Sequence, residues 1–177
     1  MITQLHNPKT DFYLEFKSLV LGDNFHWYWN NTSHGNQHHH DGENYGFFSH
    51  LFLERPGYSF LYPKPNSQFV ELAHKLFIEI AFANNIDAKV IYRINANMTV
   101  PLDSKNEYGP LHTDHEFPHK NMIVYLTDCN GGGTMVSGEK PYYGQEDDVI
   151  VFEGEHQAGC PKFGRRVVLV YTFNDFN

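Results

Sequence analysis

Two stretches near the C-terminus, DDVIVFEGEHQ (147–157) and GRRVVLVYTF (164–173), decide the fold of this chain. Each holds a run of β-branched and aromatic residues bounded by glycine, which predicts a strand in each stretch. His156 follows the first predicted strand, and Arg165 and Arg166 open the second. A histidine, the commonest metal ligand among side chains, therefore follows one predicted strand, and an arginine pair begins the next strand along the chain.

The rest of the chain divides into a mixed first half and a strand-rich second half. One clear helix pattern covers 67–83, with Ser67 as its N-cap and Asn84-Asn85 at its end. Residues 11–21 are apolar and fit either a helix or a strand, and the polar residues 22–46 predict a long loop that could act as a lid. The predicted strands are FFSHLFLE within 47–60, then 89–94, 121–127, 134–136, 148–152 and 166–173.

The composition is that of one acidic domain, for which we expect the bounds 1–177. A hydrophobic fraction of 41% is enough for a core, and the formal net charge is -8. Because no basic cluster appears, nucleic acid is a poor candidate partner. The N-terminal residues lack the pattern of a secretion signal, and no run of 18 apolar residues predicts a membrane partner. We expect a cytoplasmic protein in which Cys129 and Cys160 are free thiols.

The pattern His-x-Asp occurs twice, at His39 to Asp41 and at His112 to Asp114. Residues i and i+2 of a strand face the same side, so this pair can reach one ion. Two imidazoles and one carboxylate leave coordination positions open, an arrangement typical of non-haem iron(II) oxygenases. The first pattern lies in a stretch rich in Gly and Asn and predicts a solvated loop. The second has a later partner in His156, which gives a candidate set of three ligands.

The arginine pair adds a cation to this candidate site. An arginine that faces inward from an apolar strand needs an anionic partner. Its planar guanidinium binds a carboxylate through two parallel hydrogen bonds. Adjacent strand residues face opposite sides, so only one of Arg165 and Arg166 can point inward. The alternative is that both are ordinary exposed arginines.

With these residues in place, the chain resembles the prolyl-4-hydroxylase-like branch of the iron(II)/2-oxoglutarate-dependent oxygenases over roughly residues 88–173. The resemblance rests on the order and spacing of five segments: LHTDH (111–115), IVYLTD (123–128), GGGTMV (131–136), DDVIVFEGEHQ (147–157) and GRRVVLVYTF (164–173). The N-terminal third is similar, more loosely, to small oxygenases of bacteriophages and marine microbes through FHWYW (25–29) and FFSHLF (47–52).

The resemblance implies a mainly β fold, a double-stranded β-helix or jelly-roll barrel, with the helix at 67–83 supporting one sheet. It implies Fe(II), 2-oxoglutarate and O2 as cofactor and cosubstrates. The reaction implied is hydroxylation of a C–H bond with release of succinate and CO2. The implied metal ligands are His112, Asp114 and His156. Halogenases of this class lack the carboxylate ligand, so Asp114 favours hydroxylation.

The same resemblance implies roles for residues around the metal. Arg166, or alternatively Arg165, would hold the far carboxylate of 2-oxoglutarate, and Tyr125 would bond the same carboxylate. Tyr92 and Asn97 are weaker candidates for lining the site. The implied substrate is a prolyl or other peptidyl residue, or a small molecule. Two alternatives stay open: a non-catalytic or zinc-binding barrel of the same fold, and a nucleic-acid demethylase of the same superfamily.

Overall fold

The computed structural model describes residues 1–31, 45–57, 61–102 and 107–175. Within these ranges lie two helices, α1 (Asp11–Leu21) and α2 (Val70–Ala83). The strands are β1 (Thr3–Leu5), β2 (Tyr28–Asn30), β3 (Phe47–Glu54), β4 (Lys64–Pro65), β5 (Val90–Thr99), β6 (Lys120–Tyr125), β7 (Thr134–Val136), β8 (Val149–Glu153), β9 (His156–Ala158) and β10 (Arg166–Asn174).

Eight strands form one antiparallel sheet in the order β1-β8-β6-β10-β5-β3-β2, with β4 beside β3. The strongest predicted strand, β10, lies near its centre, between β6 and β5. β7 and β9 form a second, small sheet. The arrangement is mainly β and fits the jelly-roll barrel that the resemblance implied.

The two faces of β10 have different neighbours, which explains why the strand is apolar on both. Val167 and Leu169 belong to the core that packs against α1 and α2. Val168 and Val170 belong to a second cluster inside the barrel. A strand covered on both faces requires this continuous apolar run. Arg166 shares the parity of the interior residues, so the alternation places its side chain inside the barrel.

The ambiguous segment 11–21 is a helix. Thr10 caps it, because its hydroxyl accepts a hydrogen bond from the Tyr13 N–H at 3.1 Å. Tyr13, Phe16 and Val20 are buried, and their spacing of three and four residues is that of one helix face. The resemblance implied one supporting helix, and the structure therefore has a second.

The helix predicted for 67–83 begins at Val70, so Ser67 is not its N-cap. The Ser67 hydroxyl instead accepts from the Phe69 N–H at 3.2 Å and bonds His50 Nε2 at 2.8 Å. Phe69 is the N-cap and makes no side-chain capping bond. The predicted end is confirmed, since Asn84 is the C-cap.

Several strand predictions need correction at their ends. The strand predicted at 89–94 is longer, because pairing with β10 carries β5 on to Thr99. The short strands β1, β2, β4 and β9, of two or three residues each, were not predicted. β2 lies inside the predicted loop 22–46. The rest of that loop, with the His39 to Asp41 pattern and the lid hypothesis, falls largely on residues 32–44, outside the described ranges.

Both cysteines, Cys129 and Cys160, are free thiols, as expected. Neither α1 nor α2, the helices of the described ranges, has the length and apolarity that a membrane span requires.

Candidate functional site

A cavity of about 840 Å³ lies inside the barrel. Its lining includes residues of β5, β6, β7, β9 and β10, the segment 109–117, and residues at both ends of β3. His112, Asp114, His156 and Arg166 all line it. The fold therefore brings His112 and Asp114 together with His156 and Arg166, which lie more than 40 residues later in the chain.

The two histidines meet because their backbones pair. The His112 N–H donates to the His156 carbonyl at 3.0 Å, and the His156 N–H donates back at 2.8 Å. Residues paired in this way project their side chains to the same side, and the two ring centroids lie 4.4 Å apart. His112 lies in this isolated bridge and not in a strand.

The hydrogen bonds of the two rings determine their tautomers. Nδ1 of His112 lies 3.0 Å from the carbonyl oxygen of Pro110, and Nδ1 of His156 lies 3.4 Å from that of Gly154. A carbonyl only accepts, so each Nδ1 carries the hydrogen and each Nε2 carries the lone pair. This is the form in which an imidazole binds a metal. Burial lowers the pKa of His156 to about 4, although Asp114 opposes the shift, so its ring is neutral near pH 7.

Asp114 presents one bare carboxylate oxygen to these rings. Its side chain is 5% exposed, and Oδ1 accepts from Arg93 Nη1 at 2.6 Å. Oδ2 has no hydrogen-bond partner among the described atoms and lies 3.7 Å from His156 Nε2. Burial raises the pKa of Asp114, but Arg93, His156 and His112 outweigh this and lower it to about 2. Asp114 is therefore an ionised carboxylate with an unsatisfied buried oxygen.

The three side chains share a cavity without forming a ready coordination shell. Within the described ranges, no three His, Cys, Asp or Glu side chains are spaced to hold a metal ion. One pair of candidate ligand atoms is nevertheless close to the spacing that a metal ion requires. Two ligand atoms on an octahedral ion lie roughly 3 Å apart. The 3.7 Å between Asp114 Oδ2 and His156 Nε2 is within a side-chain adjustment of that value.

Arg166 is a buried cation whose guanidinium faces the cavity. It is 2% exposed, and Nη2 donates to Thr134 Oγ1 at 2.9 Å. Nε has no hydrogen-bond partner, and no carboxylate of the described residues pairs with this guanidinium. Arg165 is exposed and donates to the carbonyl of Leu21 at 3.1 Å, outside the cavity. The geometry thus selects Arg166 over Arg165 as the inward arginine, while the role in binding 2-oxoglutarate stays a prediction.

Tyr125 lies behind Arg166 and does not line the cavity. Its hydroxyl bonds Thr134 Oγ1 at 2.7 Å, and its ring centroid is 5.3 Å from the guanidinium carbon of Arg166. A Cβ at Gly144 would lie 2.5 Å from this ring, so only glycine leaves room for it. Tyr125 therefore packs against Arg166 and bonds Thr134, while its implied bond to 2-oxoglutarate stays a prediction.

Tyr92 also lies outside the cavity lining. The register between β10 and β5 shifts so that Ile91 and Arg93 face successive residues of β10, which leaves Tyr92 as the extra residue of a bulge. Its ring packs edge-on against Phe117, with centroids 4.8 Å apart. Asn97, on the regular part of β5, does line the cavity.

The cavity residues that the sequence did not single out include Arg55, Arg93, Thr99 and Thr134. Arg93 could have been found, because it is a cation within the apolar run VIYRI, the same signal that drew attention to Arg166. Thr99 pairs with Arg166 across the sheet, and its Oγ1 is buried without a described partner. Arg55 follows β3 in a loop and carried no comparable signal.

No family model matches the chain, and no curated protein matches its sequence. Solved structures do match its fold. An oxidoreductase of the 2OG-Fe(II) oxygenase family from Burkholderia pseudomallei has a TM-score of 0.65 at 14% identity, covering 99% of this chain and 86% of the other. AviO1 from Streptomyces viridochromogenes has a TM-score of 0.54 at 13% identity, covering 99% and 90%.

A prolyl hydroxylase from Trichoplax adhaerens, solved with a peptide of hypoxia inducible factor, has a TM-score of 0.51 at 10% identity and covers 98% of this chain and 83% of its own. At these identities the likeness concerns the fold. The chain therefore has the fold of the 2OG-Fe(II) oxygenases and of their prolyl-hydroxylase branch, as its sequence resemblance implied.

Proposed function

We propose that this chain is an iron(II)- and 2-oxoglutarate-dependent dioxygenase that hydroxylates a C–H bond, with residues 1–177 as one oxygenase domain. The observation that carries the proposal is Arg166, a buried cation without a described carboxylate partner. It shares a cavity with His112, Asp114 and His156. A buried uncompensated charge is costly, so the fold keeps it only where a ligand supplies the opposite charge.

The residues fit a non-haem iron. Nε2 of His112, Nε2 of His156 and Oδ2 of Asp114 would hold Fe(II), since both rings are in the metal-binding tautomer and Oδ2 is unsatisfied. Two imidazoles and one carboxylate leave open positions on an octahedral ion. Bound Fe(II) would supply the O2 activation that couples decarboxylation of 2-oxoglutarate to hydroxylation, with succinate and CO2 released.

The side chains that would bind 2-oxoglutarate lie around Arg166. The guanidinium can accept one carboxylate bidentately, through Nε and a terminal nitrogen. Thr134 fixes Nη2 at 2.9 Å, and the Tyr125 ring supports the cation from behind. The Thr99 hydroxyl, buried without a described partner, supplies a further donor to the same carboxylate. Tyr125 is thus a positioning residue in this scheme.

For the primary substrate we propose a prolyl or other peptidyl residue. One support is the fold likeness to a prolyl hydroxylase that was solved with a peptide. A second is the size of the cavity, about 840 Å³, which leaves space beyond a five-carbon cosubstrate.

Succinate formation tests the proposed reaction. We expect purified protein with Fe(II) and 2-oxoglutarate in air to release succinate over many turnovers when offered a proline-containing peptide library. His156→Ala should abolish release, and His74→Ala, at an exposed histidine of α2, should not. Tight binding of Zn(II) or Fe(II) with no succinate from any preparation would instead support the non-catalytic barrel.

A further inference from the structure

One of the two cysteines of the chain shares the cavity with Arg166. Cys160 is partly buried and lines the cavity, whereas Cys129 is 5% exposed, belongs to the second apolar cluster inside the barrel and does not line the cavity. We propose that Cys160 is a site of covalent modification by α,β-unsaturated carboxylic acids, which Arg166 binds through the carboxylate. The inference goes beyond the proposed reaction, but it rests on the proposed function in taking Arg166 as a carboxylate-binding residue.

Backbone pairing places Cys160 on the cavity side of the chain, one step past the end of β9. β7 and β9 pair Thr134 with Ala158, and the Gly159 N–H donates to the Gly133 carbonyl at 2.8 Å, so the pairing continues past both strands. Cys160 is two residues beyond Ala158, and alternation directs both side chains to the same side. Both line the cavity, as Thr134 does. This step moves Cys160 about 7 Å along the chain from the pair of Thr134 and Ala158.

Thr134 connects the region of this thiol to the buried guanidinium. Nη2 of Arg166 donates to Thr134 Oγ1 at 2.9 Å, while Nε is buried without a partner among the described atoms. The cation also acts on the thiol, since burial raises the pKa of Cys160 and the charge of Arg166 opposes that rise. A buried guanidinium with a free donor favours an anionic ligand, and a carboxylate can bind it through two parallel hydrogen bonds. The anion-binding group and the sulfur nucleophile are therefore neighbours in one cavity.

The dimensions suit a short unsaturated acid. In a bidentate pair the carboxyl carbon lies about 4 Å from the guanidinium carbon, given nitrogen–oxygen distances of about 2.8 Å. The β-carbon of the acid is two bonds farther away, at about 2.5 Å from the carboxyl carbon. The reactive carbon therefore lies about 6 Å from the guanidinium carbon, which is comparable to the step of about 7 Å from Thr134 to Cys160. A carboxylate bound at Arg166 thus brings its double bond to the part of the cavity that the thiol lines.

Binding of the acid to Arg166 offsets the low reactivity of this thiol. Because burial raises the pKa of Cys160, the thiol is protonated near pH 7 and reacts slowly with neutral electrophiles. The guanidinium offsets the negative charges of the bound carboxylate and of the thiolate that forms beside it. The sulfur bonds to the β-carbon, the carbon–carbon π bond breaks, and its electron pair takes up at the α-carbon the proton that the thiol released. The addition needs no oxidant or reductant, and the adduct keeps its carboxylate beside Arg166, where it excludes 2-oxoglutarate.

Acrylate and acrylamide form a matched pair of probes, because the second is the neutral amide of the first. Each is added to the whole folded protein with a chelator and, separately, to the protein unfolded in urea. Mass spectrometry of peptides gives the labelling rate at each cysteine. We expect the ratio of the acrylate rate to the acrylamide rate at Cys160 to be at least about tenfold higher in the folded protein, because a charge-assisted hydrogen bond favours the acid. Cys129 is the internal control and should show no preference for the acid.

Variants of the two adjacent arginines assign the preference. Arg166→Gln keeps a hydrogen-bond donor while removing the charge, so its ratio should fall to within about twofold of the value in the unfolded chain. Arg165→Gln, at the arginine outside the cavity, should keep the full ratio. If Arg166→Gln does not fold, a competitor provides the same evidence in the wild type. Propanoate should slow labelling by acrylate, and the neutral propanamide at the same concentration should not.

The proposal is overturned if the folded protein shows no higher ratio than the unfolded chain, if Arg166→Gln folds and keeps the full ratio, or if propanoate gives no protection. A further arm adds 2-oxoglutarate with Mn(II) in place of the chelator and records labelling by acrylamide. If 2-oxoglutarate protects Cys160 but acrylate is not preferred, only the modification site fails. If the preference depends on Arg166 but 2-oxoglutarate with Mn(II) gives no protection, the modification site stands and the proposed binding of 2-oxoglutarate at Arg166 fails instead.

Discussion

Arg93 and Arg166 both interrupt or open apolar strands, and both reach the same cavity, yet they meet different partners. Arg93 pairs with the carboxylate of Asp114 at 2.6 Å. Arg166 donates to the hydroxyl of Thr134 at 2.9 Å, and its Nε has no partner among the described atoms. Both sites are shielded from solvent, so the difference does not come from exposure.

The two buried arginines differ in whether the protein itself supplies a negative charge beside them. At Arg93 the protein supplies the opposite charge, and the pair orients a candidate metal ligand. At Arg166 the protein supplies only neutral support from Thr134 and Tyr125. The fold therefore completes one ionic site itself, and in the proposed function a ligand completes the other. Replacing Arg93 and replacing Arg166 should therefore change the stability of the protein in opposite directions.

The largest expected effect is on stability without metal. Arg93→Met should lower the free energy of unfolding by about 3 kcal/mol, because it leaves Asp114 as a buried carboxylate without its main partner. Arg166→Met should raise it by about 1 kcal/mol, since it removes a buried cation that lacks a counter-charge. Urea unfolding in the presence of a chelator measures both. Shifts of equal sign and size would end the distinction between the two arginines.

The next effect concerns the candidate metal ligands. His156→Ala should weaken Fe(II) or Mn(II) binding at least about 100-fold, since changes to groups that only support a ligand already cost 10- to 100-fold. His74→Ala, on the exposed face of α2, is the matched control and should bind metal normally. Metal titration under anaerobic conditions gives the affinities. Equal affinities in the two variants would remove His156 from the metal site.

A smaller effect is expected for the cosubstrate. Arg166→Ala should raise the half-saturating concentration of 2-oxoglutarate about 30-fold, because it removes charge-assisted hydrogen bonds to one carboxylate. Arg165→Ala should change it by less than about twofold, since an exposed charge contributes little. Calorimetry with Mn(II)-loaded protein compares them. A larger effect from Arg165 would mean that the inward arginine does not bind this ligand.

The smallest expected effect is on the pH dependence of stability and concerns Asp147. Like Asp114, this carboxylate accepts hydrogen bonds from cationic side chains, but it lies outside the cavity lining. Asp147 accepts from the Tyr13 hydroxyl at 2.5 Å and pairs with Lys17 and, at 3.1 Å, with Lys9. Burial raises the pKa of Asp147, but its bonds from Lys17 and Tyr13 lower it overall. The contribution of ionised Asp147 to the free energy of unfolding is therefore complete above the ordinary carboxyl pKa. It is lost as the pH falls through the lowered pKa that this group has in the folded protein.

Asp147→Asn should thus cost about 1 kcal/mol near pH 7 and flatten the decline in stability below pH 4. Urea unfolding as a function of pH measures this change. Asp23→Asn, at an exposed position, is the control. A mutant whose stability declines with acid as steeply as the wild type would show that Asp147 is not linked to folding through its charge.

The longer strands could be predicted from the sequence because they depend on local periodicity and composition, whereas the assignment of the metal ligands stays a prediction. β10 is apolar on both faces, so its strand could be predicted without knowing which elements pack against it. Alternation predicted that only one of Arg165 and Arg166 points inward, and the structure selects Arg166. The helical form of residues 11–21 could not be decided, because the Thr10 cap and the burial of Tyr13 become visible only in the fold.

Side-chain roles that depend on pairing across strands were beyond the sequence. Tyr92 was expected at the site because it lies near His112 along the chain, but a bulge removes it from the cavity wall. Tyr125 packs beside Arg166, and its implied role in binding 2-oxoglutarate stays a prediction. The pairing of Arg93 with Asp114 required a contact between segments 21 residues apart, which no local pattern encodes.

One measurement tests most directly whether the cavity holds metal and cosubstrate together. Anaerobic absorption spectra would be recorded with Fe(II) and 2-oxoglutarate, for the wild type, His156→Ala and Arg166→Ala. The account predicts a visible charge-transfer band that needs both additions, is absent in His156→Ala, and requires more 2-oxoglutarate in Arg166→Ala. A wild-type protein that binds Fe(II) yet shows no band at any concentration of 2-oxoglutarate would contradict it.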